Sequence, residues 1–297
     1  MSTKIGNLIG NTPMIEIEGI KVKLEMFNPS GSIKDRMAFY LMTQAEKRGE
    51  LRPGMEVIEV TSGNAGISFA MLCAIKKYKF TAIMPESMSI ERRQILKAYG
   101  ANLVLTPAEE DMSGAVSVYN SIIKERQNAW LPKQFSNPDN PTAYEKGLAL
   151  EILSDTDEKF DAFVAGIGTG GTIIGVARAV KQRHKKVRII GVEPTESAVI
   201  SGHSPSPHKI QGIGEGFIPD IVNNNLNLID EIITVSSEEA IKTQIELARE
   251  YGLLVGVSSG ANFVAARKLK NKFARIVTVF PDGGVKYLRN YTLSKSL

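Results

Sequence analysis

The sequence has little of what several classes of protein depend on. Its single cysteine, Cys73, excludes a disulfide within the chain, and its apolar surroundings predict a buried side chain instead of a reactive thiol. No apolar run approaches the roughly 18 residues of a membrane helix, and no signal peptide opens the sequence. We therefore expect a cytoplasmic protein with no membrane partner and no bound metal.

The chain also lacks a strong excess of one charge. It carries 36 basic and 32 acidic residues, a formal net charge of +4, and the basic residues are scattered apart from the run 181–186. That run is interpreted as the basic end of a helix, where cations suit the helix dipole. Without interleaved aromatic side chains it does not indicate a nucleic-acid partner.

What the sequence does have is short apolar, β-branched segments that alternate with amphipathic ones. Strands buried on both faces that alternate with helices predict an α/β fold built on open, twisted, mostly parallel sheets. The predicted strands are 55–60, 81–84, 102–105, 162–165, 187–192, 232–235 and 276–280. The predicted helices include 37–48, 90–99, 141–153, 238–251 and 261–269.

A polar stretch at 134–141 separates these segments into two groups and is interpreted as a crossing loop. We predict a smaller, mobile domain over 38–134 and a larger domain formed by 1–37 together with 135–297. Ligands of such sheets bind beyond the carboxyl ends of the strands. The functional site is therefore expected in the cleft between the two domains.

The glycine-rich segment Gly168-Thr169-Gly170-Gly171-Thr172 follows one predicted strand and precedes a helical pattern. Glycines let the backbone approach a phosphate closely, and the amides at a helix start point toward it. Many strand-to-helix turns are glycine-rich for steric reasons alone, and the segment has neither a P-loop ending nor a dinucleotide fingerprint. It predicts a phosphate anchor without a nucleotide signature.

A second turn, Thr61-Ser62-Gly63-Asn64-Ala65-Gly66, has successive amides that suit an amino-acid carboxylate. The Asn64 amide is able to hydrogen-bond a neighbouring ring oxygen. By itself the segment is more typical of a capped turn.

Lys34 lies in the turn-rich segment 28–36, at the predicted start of a helix. Its amine is a candidate for trapping a carbonyl group; the alternative is a solvated lysine that pairs with Asp35 or Glu46. Asp35 and Arg36 are expected to fix the helix terminus. An amine, a carboxylate site and a phosphate site together indicate pyridoxal-phosphate chemistry on an amino acid.

Two segments near the end of the chain are weaker signals. Gly256-Val257-Ser258-Ser259-Gly260-Ala261 is interpreted as another strand-to-helix turn, with an exposed hydroxyl, and Pro281-Asp282-Gly283-Gly284 ends the last predicted strand.

Four further segments extend the pattern along nearly the whole chain: Ile9-Gly10-Asn11-Thr12-Pro13, 84–93, 134–138 and His208-Lys209-Ile210-Gln211-Gly212-Ile213-Gly214. Together the segments resemble the cysteine synthase (O-acetylserine sulfhydrylase) family of fold type II pyridoxal-phosphate enzymes, whose relatives include cystathionine β-synthase. The resemblance implies the tryptophan synthase β-like fold. It also implies cysteine formation from O-acetyl-L-serine and sulfide through an aminoacrylate intermediate.

For the cofactor, the resemblance implies that Lys34 forms the Schiff base and moves the α-proton, and that Asn64 contacts the phenolic oxygen. It places the phosphate on Gly168, Thr169, Gly170, Gly171 and Thr172, and a serine hydroxyl, Ser259 or the adjacent Ser258, on the pyridine nitrogen. A neutral hydroxyl at that nitrogen suits β-elimination over transamination. The substrate residues that it implies are Thr61, Ser62, Gly63, Ala65, Gln134, Gly212 and Glu215.

The sequence departs from the family pattern at several positions. Ala65 replaces the usual threonine, Glu215 replaces the alanine common in the sulfhydrylases, and Asp282-Gly283 stands where many relatives carry Ser-Ser or Asp-Ser. A carboxylate at Glu215 would repel hydrosulfide, yet it suits the amine of an amino-thiol or the activation of water. The alternative function is therefore β-replacement or β-elimination on cysteine or serine, giving cystathionine, lanthionine, or serine with release of sulfide.

The resemblance also implies two kinds of partner. The family is typically homodimeric, and a serine acetyltransferase, whose tail docks in the active site of some relatives, is a candidate partner.

Overall fold

The computed structural model describes residues 4–61 and 63–292 of the chain. Its larger sheet has six strands in the order β1-β2-β10-β7-β8-β9. Only the pairing of β1 with β2 is antiparallel within this sheet. The strands are β1 (Met14–Ile17), β2 (Ile20–Leu24), β7 (Ala162–Gly166), β8 (Arg188–Pro194), β9 (Glu231–Val235) and β10 (Ile276–Phe280).

The smaller sheet has four parallel strands in the order β5-β4-β3-β6. They are β3 (Glu56–Val60), β4 (Lys79–Pro85), β5 (Asn102–Thr106) and β6 (Ala129–Trp130). All seven predicted strands are thus confirmed, as is the α/β class with mostly parallel sheets.

Helices cover both sheets and connect most of their strands. They are α1 (Lys34–Lys47), α2 (Asn64–Lys76), α3 (Ile90–Ala98), α4 (Asp111–Glu125), α5 (Asp139–Glu145), α6 (Leu148–Asp155), α7 (Gly171–Arg183), α8 (Asp220–Asn223), α9 (Ser237–Tyr251), α10 (Val257–Lys268) and α11 (Leu288–Thr292). The single helix expected over 141–153 is wrong, because Gly147 leaves the helical conformation and separates α5 from α6.

One apolar core runs between the two sheets. It includes Val57 and Trp130 from the smaller sheet and Phe163 and Ile189 from the larger one. Cys73 is buried in this core, as expected, and burial raises the pKa of its thiol. The two sheets are therefore joined by continuous packing and not only by the chain.

A buried ion-pair network holds the start of α1 against the N-terminal hairpin. The Arg36 guanidinium donates to Glu25 at 2.7 Å and to Glu151 at 2.6 Å. Burial opposes ionisation of Glu151, yet Arg36 lowers the pKa of its carboxyl to about 2. Lys23, on β2, is 1% exposed and lies 3.0 Å from the same carboxylate. This network fixes the helix terminus on which Lys34 lies, as expected for Arg36.

Two features of the described residues concern membrane helices and metal sites. Within 4–61 and 63–292 no helix is long and apolar enough to cross a membrane. The same ranges hold no cluster of three or more histidine, cysteine or acidic side chains placed to bind a metal ion.

Candidate active site

Lys34 is the first residue of α1, and the loop before it is paired with the segment that follows β10. The Ile33 amide donates to the Pro281 carbonyl at 2.8 Å, and the Gly283 amide donates to the Gly31 carbonyl at 3.3 Å. Ser32 and Asp282 form an isolated antiparallel bridge between these bonds. The position of Lys34 is therefore set by both ends of the chain.

The side chain of Lys34 faces a cavity of about 610 Å³. The cavity lies where α2, α3, the 208–215 loop and the 285–290 segment meet, and it is partly open to solvent. The expected site residues that line it are Lys34, Thr61, Gly63, Asn64, Ala65, Gln134, Thr169, Gly212 and Glu215. Ser62 was also expected there, but it lies outside the described residues.

The Lys34 amine is in an environment that favours its neutral form. Burial lowers the pKa of the amine, while the nearby carboxylates of Glu215 and Asp282 partly oppose that shift. The alternative of a solvated lysine paired with Asp35 or Glu46 is wrong: Asp35 accepts a bond of 2.6 Å from the Ser68 hydroxyl, and Glu46 pairs with Lys76 at 2.7 Å. A lysine with a lowered pKa in a cavity is suited to nucleophilic and base chemistry.

The Thr61–Gly66 turn leads directly from β3 into α2, which begins at Asn64. The Thr61 hydroxyl accepts a bond of 3.0 Å from the Gly66 amide in the first turn of α2. The turn therefore has a side-chain cap, as the capped-turn interpretation predicted. Gly63, Asn64 and Ala65 nevertheless face the cavity at this helix start. The turn is both a cap and part of the cavity wall.

The phosphate-type turn lies at the start of α7, a helix of 13 residues. Neighbouring groups exclude a larger side chain at its glycines. A Cβ atom on Gly168 would lie 2.5 Å from the Gly212 carbonyl oxygen, and one on Gly171 would lie 1.9 Å from the Asn140 Oδ1. The Asn140 amide also donates to the Thr169 hydroxyl at 3.0 Å. The backbone amides of this turn are therefore not covered by side chains, and they lie at a helix N-terminus, where an anion binds favourably.

Not every residue of this turn reaches the main cavity. Thr169 lines it, and Gly168 lies beside a smaller adjacent cavity shared with Glu215. Among the described residues that line either cavity, Gly170, Gly171 and Thr172 do not appear. Gly170 is the residue that precedes α7, and Gly171 and Thr172 are the first two residues of the helix.

The serine pair at 258–259 differs from expectation in two ways. No strand precedes it; Val255 makes only an isolated bridge with Gly283. The hydroxyl is also not exposed, because α10 begins at Val257 and encloses the pair in its first turn, with Ser259 0% exposed. The Ser259 Oγ has no hydrogen-bond partner. A buried hydroxyl without a partner is costly unless a ligand satisfies it.

Gln134 is buried at the cavity wall and is connected to both turns. Its carbonyl accepts a bond of 2.6 Å from Asn140, the same side chain that reaches Thr169. The backbone amide of Gln134 donates to the carboxylate of Glu59, near the end of β3, at 3.5 Å. Burial raises the pKa of Glu59 to about 8, although backbone donors act in the opposite direction.

Glu215 lies in a loop of unusual backbone conformation. Gly212, Gly214 and Gly216 all have positive φ, at 93°, 67° and 81°. His208 anchors one side of the loop, since its Nε2 lies 2.8 Å from the Gly214 carbonyl oxygen. Although Glu215 is accessible from the cleft, the surrounding protein raises the pKa of its carboxyl, and Lys34 and His208 oppose that shift.

Several cavity residues were not identified as site residues from the sequence. Arg92 donates to Gln211 at 2.6 Å and lies over the Tyr287 ring at 5.3 Å, so it joins α3 to the far side of the cleft. Lys286 lines the cavity beside Tyr287. Arg92 and Gln211 lie within the segments that resemble the cysteine synthase family, so the resemblance could have identified them. The 285–290 segment has no such motif.

The residues present fit pyridoxal phosphate. A lysine amine with a lowered pKa, a helix start stripped of side chains, and the unpartnered buried Ser259 hydroxyl match the cofactor's aldehyde, phosphate and pyridine nitrogen. These groups lie at the start of α1, at the start of α7 and in the first turn of α10.

Comparison with known proteins gives a consistent result. Residues 5–282 match the family model described as pyridoxal-phosphate dependent enzyme. Cysteine synthase B of Campylobacter jejuni is 50% identical over 291 residues, which cover 96% of each chain. The crystal structure of cysteine synthase from Entamoeba histolytica matches with a TM-score of 0.95 and 42% identity, covering 99% of this chain and 91% of that one.

A third relative differs in its printed activity. An O-acetylserine-dependent cystathionine β-synthase from Helicobacter pylori matches with a TM-score of 0.91 and 39% identity, covering 97% of each chain. The match extends along nearly the whole chain in each comparison. The protein belongs to the pyridoxal-phosphate-dependent enzymes, in the fold type II group that contains the cysteine synthases.

Proposed function

We propose that this protein is a cysteine synthase that forms L-cysteine and acetate from O-acetyl-L-serine and sulfide. The observation that carries the proposal is the Lys34 amine, whose pKa is lowered by burial, in a cavity bounded by two glycine-rich helix starts. One helix start suits a substrate carboxylate and the other suits a phosphate.

Pyridoxal phosphate, when bound, supplies an aldehyde for the substrate amine and an electron sink for the α-carbon. Lys34 would hold its aldehyde carbon, Asn64 its phenolic oxygen, and Ser259 its pyridine nitrogen. The phosphate would lie at the start of α7, on Gly168, Thr169, Gly170, Gly171 and Thr172. The Ser259 hydroxyl is neutral, so this site does not enforce a protonated ring.

Lys34 is the proton carrier in this proposal. Once the substrate amine has replaced Lys34 on the aldehyde carbon, the freed Nζ would take the proton from the substrate α-carbon while the acetate group leaves the β-carbon. It would return the proton after sulfide has bonded there. The lowered pKa of the amine supports this role, because an amine must be neutral at the working pH to act as a base.

The substrate carboxylate would be held at the start of α2. Thr61, Gly63 and Ala65 line the cavity at this turn, and Gln134 lines the adjacent wall. Ser62, which lies between Thr61 and Gly63 in the sequence, is included in the proposal. Replacement of the family threonine by Ala65 removes a hydroxyl but leaves the backbone amide. Binding at this turn would fix the substrate α-carbon beside Lys34.

Steady-state assays of the purified holoenzyme test the proposal. O-acetylserine with sulfide is expected to yield cysteine at a rate far above that with serine or cysteine as the donor. If cysteine alone is accepted and sulfide accumulates, the biosynthetic assignment is wrong.

One observation favours a second candidate function. The Glu215 carboxylate lies at the cavity, where it acts on the charge of Lys34. An anion in this place repels hydrosulfide but suits the ammonium group of an amino-thiol, or a water molecule that needs a base. The second candidate is therefore β-replacement or β-elimination on cysteine or serine, which yields cystathionine, lanthionine, or serine with sulfide.

A Glu215→Ala variant separates the two candidates, with Glu215→Gln as the control that keeps the side-chain shape. If Glu215 selects an amino-thiol or activates water, both variants shift the product ratio toward cysteine formed from sulfide. Unchanged product ratios would remove Glu215 from the assignment.

Three further features belong to the proposal. The proposal includes a smaller, mobile domain over 38–134, which contains the smaller sheet, and a larger domain of 1–37 with 135–297, which contains the larger sheet. We also propose a cytoplasmic homodimer and a serine acetyltransferase as a candidate partner. Light scattering of the purified protein, alone and with that enzyme, tests both assemblies.

A further inference from the structure

Asp282 is a buried carboxylate at the cofactor site to which the sequence assigned no role. It is 1% exposed and follows β10, opposite the loop that carries Lys34. Its Oδ1 packs against the backbone of Gly256, where a Cβ atom would lie 1.9 Å away, and this oxygen has no hydrogen-bond partner. The Tyr287 hydroxyl donates to its other oxygen at 2.7 Å. A carboxylate held this firmly is suited to orient a neighbouring group.

The neighbouring group is the side-chain amide of Asn64. The Asn64 Nδ2 donates to the Asp282 Oδ2 at 2.8 Å. The Lys286 ammonium donates to the Asn64 Oδ1 from the opposite side. Asp282 and Lys286 are four residues apart on one segment, so the two ends of the amide meet opposite charges from the same short stretch of chain.

These two contacts decide which way the amide points. An ionised carboxylate only accepts hydrogen bonds, and a lysine ammonium only donates them. A flipped amide would place its oxygen against Asp282 and its NH₂ group against Lys286, and both contacts would be repulsive. The ambiguity that usually attends an asparagine amide is therefore removed by charge.

We propose that Asp282 and Lys286 are positioning residues that fix the Asn64 amide so that one N–H remains to donate to the cofactor's phenolic oxygen. The inference rests on the proposed role of Asn64 at that oxygen. An amide has two N–H donors, and Asp282 takes one of them. Because the Asn64 oxygen is occupied by Lys286, the amide presents a donor and not an acceptor to a ligand.

Substitution of each positioning residue tests the proposal on the holoenzyme. Asp282→Asn preserves shape but allows the Asn64 amide to flip, and Lys286→Met preserves the aliphatic stem but removes the donor. Each is expected to weaken cofactor binding about 10-fold, the loss of one charge-assisted hydrogen bond. The measurement is the cofactor dissociation constant from absorbance, with the pH dependence of the cofactor band as a second readout. Asp161→Asn, a surface carboxylate paired with Arg275, is the matched control and should change neither.

A double-mutant cycle decides whether the effect passes through Asn64. In an Asn64→Ala background, Asp282→Asn should have no further effect on the dissociation constant, whereas the pH dependence of the band also responds to the direct effect of Asp282 on Lys34. A full additional effect in that background would overturn the proposal, as would an unchanged constant in the single Asp282 and Lys286 variants. Thermal unfolding of each variant shows whether the protein remains folded, and Lys286→Met provides the test if Asp282→Asn does not.

The cycle also separates this inference from the assignment of Asn64 itself. If Asn64→Ala leaves cofactor binding and the band unchanged, the role of Asn64 is wrong and the positioning proposal falls with it. If Asn64→Ala weakens binding and Asp282→Asn adds fully to it, only the positioning proposal is wrong.

Discussion

Two carboxylates face Lys34 from segments that are built in opposite ways. Asp282 lies on a segment paired with the Lys34 loop through backbone bonds, and its side chain contacts Tyr287 and Asn64. Glu215 lies in a loop between Gly214 and Gly216, both with positive φ, and faces the open part of the cleft. Asp282 is therefore bonded to neighbouring protein groups, whereas Glu215 is accessible to a molecule that enters the cleft.

Because they are held differently, we expect the two carboxylates to have different roles in the cavity. A carboxylate with fixed partners sets the geometry of neighbouring groups before any ligand arrives. A carboxylate in an accessible loop contributes mainly through its charge on the entering molecule. We therefore expect changes at Asp282 to alter the cofactor site and changes at Glu215 to alter the choice of second substrate.

The largest expected effect follows from removing the group that both carboxylates face. Lys34→Ala should lower the rate of cysteine formation by at least about 1,000-fold, since in the proposed mechanism it removes the base and the covalent attachment point together. Steady-state kinetics and the absorbance of the bound cofactor measure this loss. Asp35→Asn tests the neighbouring position, where a smaller loss is expected because Asp35 bonds to Ser68 and not to the reacting atoms. A variant at Lys34 that keeps normal activity would contradict its role.

Alanine substitutions at three glycines test how firmly each segment is held. Gly214→Ala should destabilise most, by about 2–4 kcal/mol, because a left-handed residue is strained and its Cβ would lie 2.6 Å from Pro194. Gly216→Ala should cost about 1–2 kcal/mol, since its positive φ is unfavourable but its nearest neighbour is 3.6 Å away.

Gly283→Ala, beside Asp282, is the control for this series. It has φ −80° and ordinary contacts, so its effect on stability should be small. Urea unfolding measures all three variants. An equal cost at Gly214 and Gly216 would mean that the Glu215 loop is not anchored on the Gly214 side.

The smallest effect concerns pH. Glu215 and Asp282 both raise the pKa of Lys34, and burial lowers it by more. Because the neutral amine is the active base, activity should rise with pH, and its acid limb should lie below the range of an ordinary lysine. Removing a carboxylate lowers the pKa of Lys34 further, so Glu215→Gln and Asp282→Asn should both move the acid limb to lower pH.

Glu215 acts on Lys34 more strongly than Asp282 does. The Glu215→Gln shift should therefore be the larger of the two in a kcat profile against pH. A shift to higher pH in either variant would show that the profile reports a different group.

The sequence predicted the site because its motifs fall where strands give way to helices. Short runs of mostly apolar residues marked β3 and β7, and the glycine-containing turns after them marked the starts of α2 and α7. The first turn of α10 was placed too late, because Ser258 and Ser259 resemble a polar loop although they are buried inside a helix.

Other features depend on residues far apart in the chain, which periodicity does not detect. β2 was missed because Lys23 interrupts its apolar pattern, and the carboxylates that neutralise that lysine lie more than a hundred residues away. The contact between Asn64 and Asp282 spans 218 positions, so neither residue's local sequence indicates the other. Charge pairing across such distances requires the folded structure.

The order of strands in the larger sheet has a consequence for how the protein is made. Among the described residues, the hairpin of β1 and β2 joins that sheet through β10, which follows every other strand of the sheet in the sequence. The hairpin is translated first, yet its place in the sheet does not exist until β10 has been translated. Pairing over such a separation is slow because a long loop must close. We expect Lys34 to reach its final position only after β10 has been synthesised, so that chains truncated before β10 cannot retain the cofactor.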